Sequence, residues 1–563
     1  MKIGVERVLL CAGLVVAALA VPVESSASPV SDRVESEIVS SSPVENVVAS
    51  AVSLAAPLPS GSKPHPAECD RLSYLRYRAA DGPANSADAD RVLVAQPGVF
   101  EGAGAFESVA RNTVAAADAQ GSHIEFWALD RRSNCLEDHT GTQAALAARD
   151  LDIATDYYFH GGTANGRTFA GYADGAATAW LADQGIPQTM RDQYDVLRLE
   201  FPDQKTRKQK VLCGGHSLGG FLTGYFAGWD FDGNPATTED AGYNQCSGYF
   251  ALDTVIKAGA PNPIRGFVPP EVPPALAGPL EAASGELTGV YPVTRLPAVI
   301  NPETTNVLAM AGLAARLDPT GLNDIVERLP RNLNLDATLR ALLSKDPLMA
   351  ATGQPDVRTL NATNDAVVGA LLDDNSQPLG FLQASAGFFG GGPAQDKSFP
   401  LPNEVVSAVP LLGSAFGSDR KASPNSYGDP NVVYTWQDYD QMTPNGFTDP
   451  SKEVTSISQL SRSLSEPPLD FTEWYFPTAI NTDLMQKTAP SIAAHYLHGD
   501  GVSRNPVITI QGDGGLDPGA SDAPGDVPIK LRGYNHLDVL TAAQKQNNGQ
   551  PEQVSTLLAD FSR

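Results

Sequence analysis

Apolar positions along the chain fall into two patterns that alternate over its first half. Residues 72–78 alternate apolar and polar as a half-buried strand does, 92–95 and 124–129 are short apolar runs closed by turn residues, as buried strands are, and 248–253 reads as the strand after them. Residues 211–220 read Val-Leu-Cys-Gly-Gly-His-Ser-Leu-Gly-Gly, an apolar run that restarts as Leu218, Phe221, Leu222, Tyr225 and Phe226 at helical spacing. That is a strand, a sharp turn and a helix. From about 254 to 500 the alternation is lost: prolines recur, and short helical stretches such as 335–343 are separated by glycine-rich passages such as 387–392. Strands return at 506–512 and 527–531, and a last helix places Val554, Leu557, Leu558 and Phe561 on one face. Strands separated by helices, with a long insertion, predict an α/β core carrying a cap. No internal repeat is present.

A serine on a tight strand-to-helix turn takes a strained backbone conformation, and Gly215 and Gly219 let strand and helix approach so that the Ser217 hydroxyl stands clear. A chain with 51 glycines matches Gly-x-Ser-x-Gly by chance, so the strand-turn-helix context carries the inference. A serine hydroxyl needs a base, and the base needs a carboxylate to orient it.

Composition narrows the class. Of 563 residues, 42% are hydrophobic and 18% charged, enough apolar material for a sizeable core. The formal net charge of −26, with no clustered Lys/Arg run, argues against a nucleic-acid partner. Residues 1–20, with Lys2 and Arg7 ahead of an apolar Val8 to Ala20 and small residues at Ala18-Leu19-Ala20, read as a secretory signal peptide; Ala27 offers a second cleavage point. Residues 21–64, rich in Ser, Val, Pro and Glu without a period, read as a flexible linker. A secreted, extracellular location follows. No segment reaches eighteen uninterrupted apolar residues, so no transmembrane anchor is expected. With Cys11 removed, Cys69, Cys135, Cys213 and Cys246 suggest two disulfides in one of three connectivities.

The elbow at Ser217, the Pro97-Gly98 turn followed by Gly102-Ala103-Gly104-Ala105-Phe106, the strand end Trp127-Ala128-Leu129-Asp130-Arg131-Arg132 and a late histidine together resemble the α/β-hydrolase superfamily. The resemblance implies a mostly parallel sheet flanked by helices, built from 65–253 and 501–563, with 254–500 as a large cap or lid insertion. In such a core Cys213 and Cys246 precede neighbouring strands, which favours the pairs Cys69–Cys135 and Cys213–Cys246. The base follows the last strand, which selects His536 over His495 and His498. The acid follows the penultimate strand, within Gly512-Asp513-Gly514-Gly515-Leu516-Asp517, so Asp513 is favoured and Asp517 is an alternative; Asp253, at the end of the strand after the elbow, is the third. The oxyanion donors expected are the amides of Leu218 and Val99, with Gly98 providing room.

Asn535-His536-Leu537-Asp538 is also similar to the segment around the catalytic histidine of the acid lipases, which implies esters as substrates. The expectation is a secreted, cofactor-independent serine hydrolase acting on small-molecule or lipid esters. The alternatives are a secreted exopeptidase of the same fold and a non-catalytic envelope or binding protein. Phe381, Phe388, Phe389, Trp474, Tyr475 and Phe476 are candidates for an apolar pocket or for the cap's own core. The acidic loop from Asp230 through Asp232 to Glu239 and Asp240 offers oxygen ligands but lacks the EF-hand spacing, and is read as a solvated loop rather than a metal site. Asn361-Ala362-Thr363 is a formal glycosylation sequon.

Overall fold

The computed structural model describes residues 32–259, 274–295, 300–408, 410–417, 419–468, 471–546 and 548–563. The expected signal peptide, Cys11 and the first part of the expected linker lie outside the described residues. Nine strands form the central sheet: β1 (Val34–Ile38), β2 (Val47–Ala55), β3 (Arg71–Ala79), β4 (Val92–Gln96), β5 (Glu125–Leu129), β6 (Val211–His216), β7 (Gly248–Leu252), β8 (Val507–Gly512) and β9 (Ile529–Leu531). Their spatial order is β1-β2-β3-β5-β4-β6-β7-β8-β9. The pairs among β1, β2, β3 and β5 are antiparallel, and every pair from β5 through β9 is parallel.

Within residues 32–64, where a flexible linker was expected, the chain forms the first two strands. Val47–Ala55 alternates buried and partly exposed positions and pairs along its whole length with β3. Its small Ala and Ser residues, interleaved with Val and Leu, fit a pleated surface while resembling linker composition.

Strand alternation feeds two apolar layers, one on each face of the sheet. Leu93 and Ala95 join Phe106, Val109 and Val114 of helix α1 (Glu107–Ala119; Phe106 immediately precedes it) and Val554 and Leu558 of the last helix (Gln553–Phe561). Val92 and Val94 face the other way, with Met190 and Leu197 of helix α2 (Ile186–Glu200) and Leu222 and Tyr225 of helix α3 (Leu218–Gly228). The disulfides are Cys69–Cys135 and Cys213–Cys246, the second joining β6 to the entry of β7.

Between β7 and β8 the chain builds a largely helical insertion. Helix α4 (Pro302–Leu317) packs on α6 (Ile457–Ser465) and on α5 (Asn364–Leu372), and the Leu333–Leu343 helix covers the segment expected to be helical. Leu313, Leu371 and Leu464 belong to the same apolar cluster as Phe106 of the core, so the insertion and the sheet are packed continuously. Among the described residues, no helix is long and apolar enough to cross a membrane.

Candidate active site

Ser217 sits between β6 and α3 with φ 52° and ψ −119°, a conformation most side chains avoid. The surrounding glycines are what permit it. A Cβ on Gly219 would lie 2.0 Å from the Gln96 carbonyl oxygen, and one on Gly215 would lie 2.5 Å from the same atom and 2.7 Å from the Gly219 backbone. Strand β4, the elbow and α3 are therefore in backbone contact. The Ser217 amide donates to the Leu252 carbonyl at 3.2 Å and its carbonyl accepts the Thr254 hydroxyl at 2.5 Å, which fixes the turn against the end of β7.

His536 lies on the loop after β9 and is buried, with Nδ1 2.5 Å from Asp253 Oδ2. The Asp253 carboxylate also accepts the Gly512 amide at 3.1 Å and the Leu516 amide at 3.0 Å. Burial acts to raise the Asp253 pKa, but the His536 ring and the amide donors outweigh it and hold the carboxyl below its usual range. The carboxylate is thus ionised and aimed at the imidazole.

The carboxylate against His536 is therefore not the favoured Asp513 but Asp253, the third candidate. Asp513 is exposed and its Oδ1 accepts the Gly533 amide at 2.9 Å, while Asp517 pairs with Lys530 Nζ at 2.7 Å. Neither is the carboxylate that meets His536. The reason lies in the turns. Asp253, at φ 42°, folds its side chain back under the Gly512–Leu516 turn, and Gly515 leaves room for it, since a Cβ there would lie 2.3 Å from Asp253 Oδ1. His495 and His498 are placed elsewhere: His495 Nδ1 meets the Asp230 carbonyl at 2.9 Å and His498 Nε2 the Asp230 carboxylate at 2.8 Å. Asp232 accepts the Asn234 amide and the Thr237 hydroxyl, so that acidic loop is tied together by its own hydrogen bonds.

A second buried pair lies directly behind this one. His216 Nδ1 is 2.7 Å from Glu101 Oε1, and its Nε2 is 2.9 Å from the His536 carbonyl oxygen. Both ring nitrogens face acceptors, which is satisfied when both carry protons and Glu101 is ionised. Burial opposes both charges, yet the pairing wins: His216 is raised and Glu101 lowered. The His216 and His536 rings are 4.3 Å apart. Burial, then the neighbouring His216 charge, lower the His536 pKa against the pull of Asp253. Sequence inspection read His216 only as part of the elbow and missed Glu101; an acidic residue inside the Pro97–Ala105 loop was its one visible signal.

The loop after β4 faces the elbow. Val99, Phe100, Glu101, Ser217, Leu218, Asp253 and His536 all border one cavity of about 830 Å³. Leu218 opens α3, so its amide is among those with no acceptor inside the helix. The Gly98 amide is not available in the same way, because it donates to Glu101 Oε2 at 2.6 Å; of the expected oxyanion residues, Gly98 supplies space and an anchor rather than a free donor. Arg131 holds the loop from behind. Its guanidinium donates to the carbonyls of Pro97 (2.6 Å), Gly98 (2.8 Å) and Glu101 (3.2 Å) and to Glu473 Oε2 at 2.5 Å. Residues 471–473 of the insertion complete the clamp, with the Gly102 amide donating to the Phe471 carbonyl and the Glu473 amide to that of Phe100.

The cavity wall is mostly apolar, with Phe100, Phe221, Leu339, Leu371, Phe381 and Phe471 supplying much of it and Thr304, Thr305, Thr338, Gln377 and Asn481 adding polar positions. Of the aromatics expected there, Phe381 lines it. Phe388 and Phe389 pack instead on Phe447, Tyr434 and Trp436, Trp474 on Tyr158 and Tyr172, and Phe476 on Phe100. The Asn361 side chain of the sequon donates to the Val432 carbonyl at 3.1 Å.

The strand order, the reversed third strand and the serine at the turn after β6 define an α/β-hydrolase core interrupted by a large insertion after β7. No protein-family model matches the chain, and no curated protein matches its sequence. Among solved structures it is similar to the peroxisomal alpha-beta-hydrolase Lpx1 (Yor084w) of Saccharomyces cerevisiae, at 15% identity and a TM-score of 0.21. The match covers 42% of this chain and 52% of that one, so it spans about half the length of that neighbour.

Proposed function

We propose that the protein is a serine hydrolase that cleaves carboxylic esters bearing a large apolar group. The observation that carries this reading is the arrangement on one apolar cavity of Ser217 at a positive φ, His536, and Asp253 bound to the far nitrogen of the imidazole. Ser217 Oγ gives its proton to His536 Nε2 as it attacks the ester carbonyl; Asp253 holds the ring and balances the imidazolium charge. The Leu218 and Val99 amides receive the oxyanion. His536 then protonates the departing alkoxide, and water, deprotonated by the same nitrogen, releases the acid and restores Ser217. No step calls for a cofactor.

The cavity argues for an apolar substrate. Its volume is toward the upper end of the roughly 300–1,000 Å³ found for small-molecule pockets, and burying each methylene is worth about 0.8 kcal/mol, or about fourfold in kcat/KM. Secretion accords with the leader-like sequence and with two disulfides, which persist in oxidising compartments. The test is turnover of p-nitrophenyl esters from acetyl to palmitoyl by the wild type and by Ser217→Ala. The reading expects kcat/KM to climb with acyl length from acetyl to octanoyl and activity to vanish in the variant; turnover that survives in Ser217→Ala, or none with any ester, would overturn it.

A further inference from the structure

Where the insertion meets the loop that carries His536, three buried carboxylates converge outside the candidate active site. Asp373 and Asp374 follow α5, and Glu453 precedes the Val454–Ser456 segment leading into α6; their exposures are 0%, 3% and 1%. One oxygen from each lies within 4.8 Å of the others. Such proximity of like charges in the interior is unfavourable unless a proton or a cation intervenes.

Hydrogen bonds from neighbouring amides and hydroxyls hold each of the three in place. Asp373 accepts the amides of Asn375 and Ala386, each at 3.0 Å. Glu453 accepts the Gly387 amide at 2.8 Å and the Thr448 hydroxyl at 2.5 Å. Asp374 Oδ2 accepts Asn535 Nδ2 at 2.6 Å and the Ser385 hydroxyl at 3.3 Å. In each of these bonds the carboxyl oxygen is the acceptor. A fourth buried carboxylate, Asp538, shares Ser385 with Asp374 and accepts its amide at 2.9 Å. The buried ammonium groups beside the cluster turn to carbonyls instead: Lys421 Nζ to that of Asp374, and Lys397 Nζ to those of Leu342 and Ser376. Lys421 offsets at most one of these negative charges.

Asp374 Oδ1 is the second, independent sign. It is fully buried and has no hydrogen-bond partner, although the Oδ2 of the same carboxylate has two. A buried, unpartnered carboxylate oxygen is costly, and a metal ion among oxygen ligands removes that cost. We propose that Asp373, Asp374 and Glu453 form a calcium site that ties the insertion to the loop bearing His536. The donors are all oxygen, which suits a hard cation, and ligands on opposite sides of calcium lie about 5 Å apart, a span these oxygens accommodate. Asn535, one residue before His536, donates directly to Asp374, so an ion here braces the histidine loop without touching the reacting groups.

The test uses the full-length purified protein and reads metal content and melting, so its failure is separable from that of the hydrolase reading. After chelation with EGTA and dialysis, calcium chloride and magnesium chloride are titrated, with bound metal measured by elemental analysis. Calcium is expected to bind once per chain and to raise the melting temperature by about 3–5 °C at saturation. Asp374→Asn and Glu453→Gln should each lose both effects, and Glu453→Gln keeps the test informative if Asp374→Asn does not fold. Asp232→Asn, at the exposed carboxylate of the Asp230–Asp240 loop, should keep them. A wild type that neither carries nor binds calcium, one that responds to magnesium alone, or loss of binding in Asp232→Asn with retention in Asp374→Asn, would overturn the proposal.

Discussion

Asp253 Oδ2 lies 2.5 Å from Nδ1 of His536, although 283 residues separate them and the whole insertion falls between. The pairing depends on β7 and β8 being parallel neighbours, with Leu252 opposite Ile510, so that the turns after both strands open on the same edge of the sheet. Asp253 reaches the imidazole from one turn while the other covers its carboxylate.

Exchange of the acid separates the two turns functionally. Asp253→Asn should lower kcat by roughly 10³–10⁴ with the fold intact, because the amide cannot stabilise the imidazolium and favours the wrong tautomer. Asp513→Asn, which alters only a bond to the Gly533 amide, should stay within about twofold of wild type. Steady-state kinetics on an active ester checks both; the reverse ranking would show that Asp513 is the functional acid.

Only part of this was legible in the sequence. Periodicity located seven strands of the sheet and the last helix, because buried runs and glycine turns are local signals. Ser217 and His536 were visible for the same reason: each sits beside a strand end with turn residues around it. The carboxylate that meets His536 was not, since Asp253 and Asp513 both follow parallel strands and the choice rests on which carboxylate folds inward, a matter of φ at Asp253 and of space over Gly515. The strands Val34–Ile38 and Val47–Ala55 were hidden by their Ser, Glu and Ala content, since partners across the sheet supply the pattern that composition lacks.

Acid inactivation should begin late. In the proposed mechanism His536 accepts a proton from Ser217 only while neutral, and burial together with the His216 charge lowers its pKa from the ordinary 6.5. The imidazole is neutral above its pKa and protonated below it, so the acid limb of kcat/KM should have its midpoint below 6.5. A pH profile with buffers of constant ionic strength measures this, and a midpoint above 6.5 would contradict the electrostatic picture.

Arg131 holds the loop proposed to carry the Val99 oxyanion donor and is not among the residues that border the cavity. Arg131→Met removes donors to three loop carbonyls and strands the buried Glu473 carboxylate, which should cost about 3–5 kcal/mol in stability. In the fraction that folds, kcat should fall by about ten- to a hundredfold with KM little changed, since donor placement governs the transition state more than the bound ester. Chemical denaturation and kinetics together check this; unchanged kcat would mean that the loop holds its shape without the clamp.

The most direct test of the account is covalent. The wild type, Ser217→Ala and His536→Ala are treated with a fluorophosphonate probe, and the adduct is located by mass spectrometry of the digested protein. The account predicts a single adduct on Ser217, absent in Ser217→Ala and slowed by at least about 10³-fold in His536→Ala. An unlabelled wild type, or an adduct on any other residue, would contradict it.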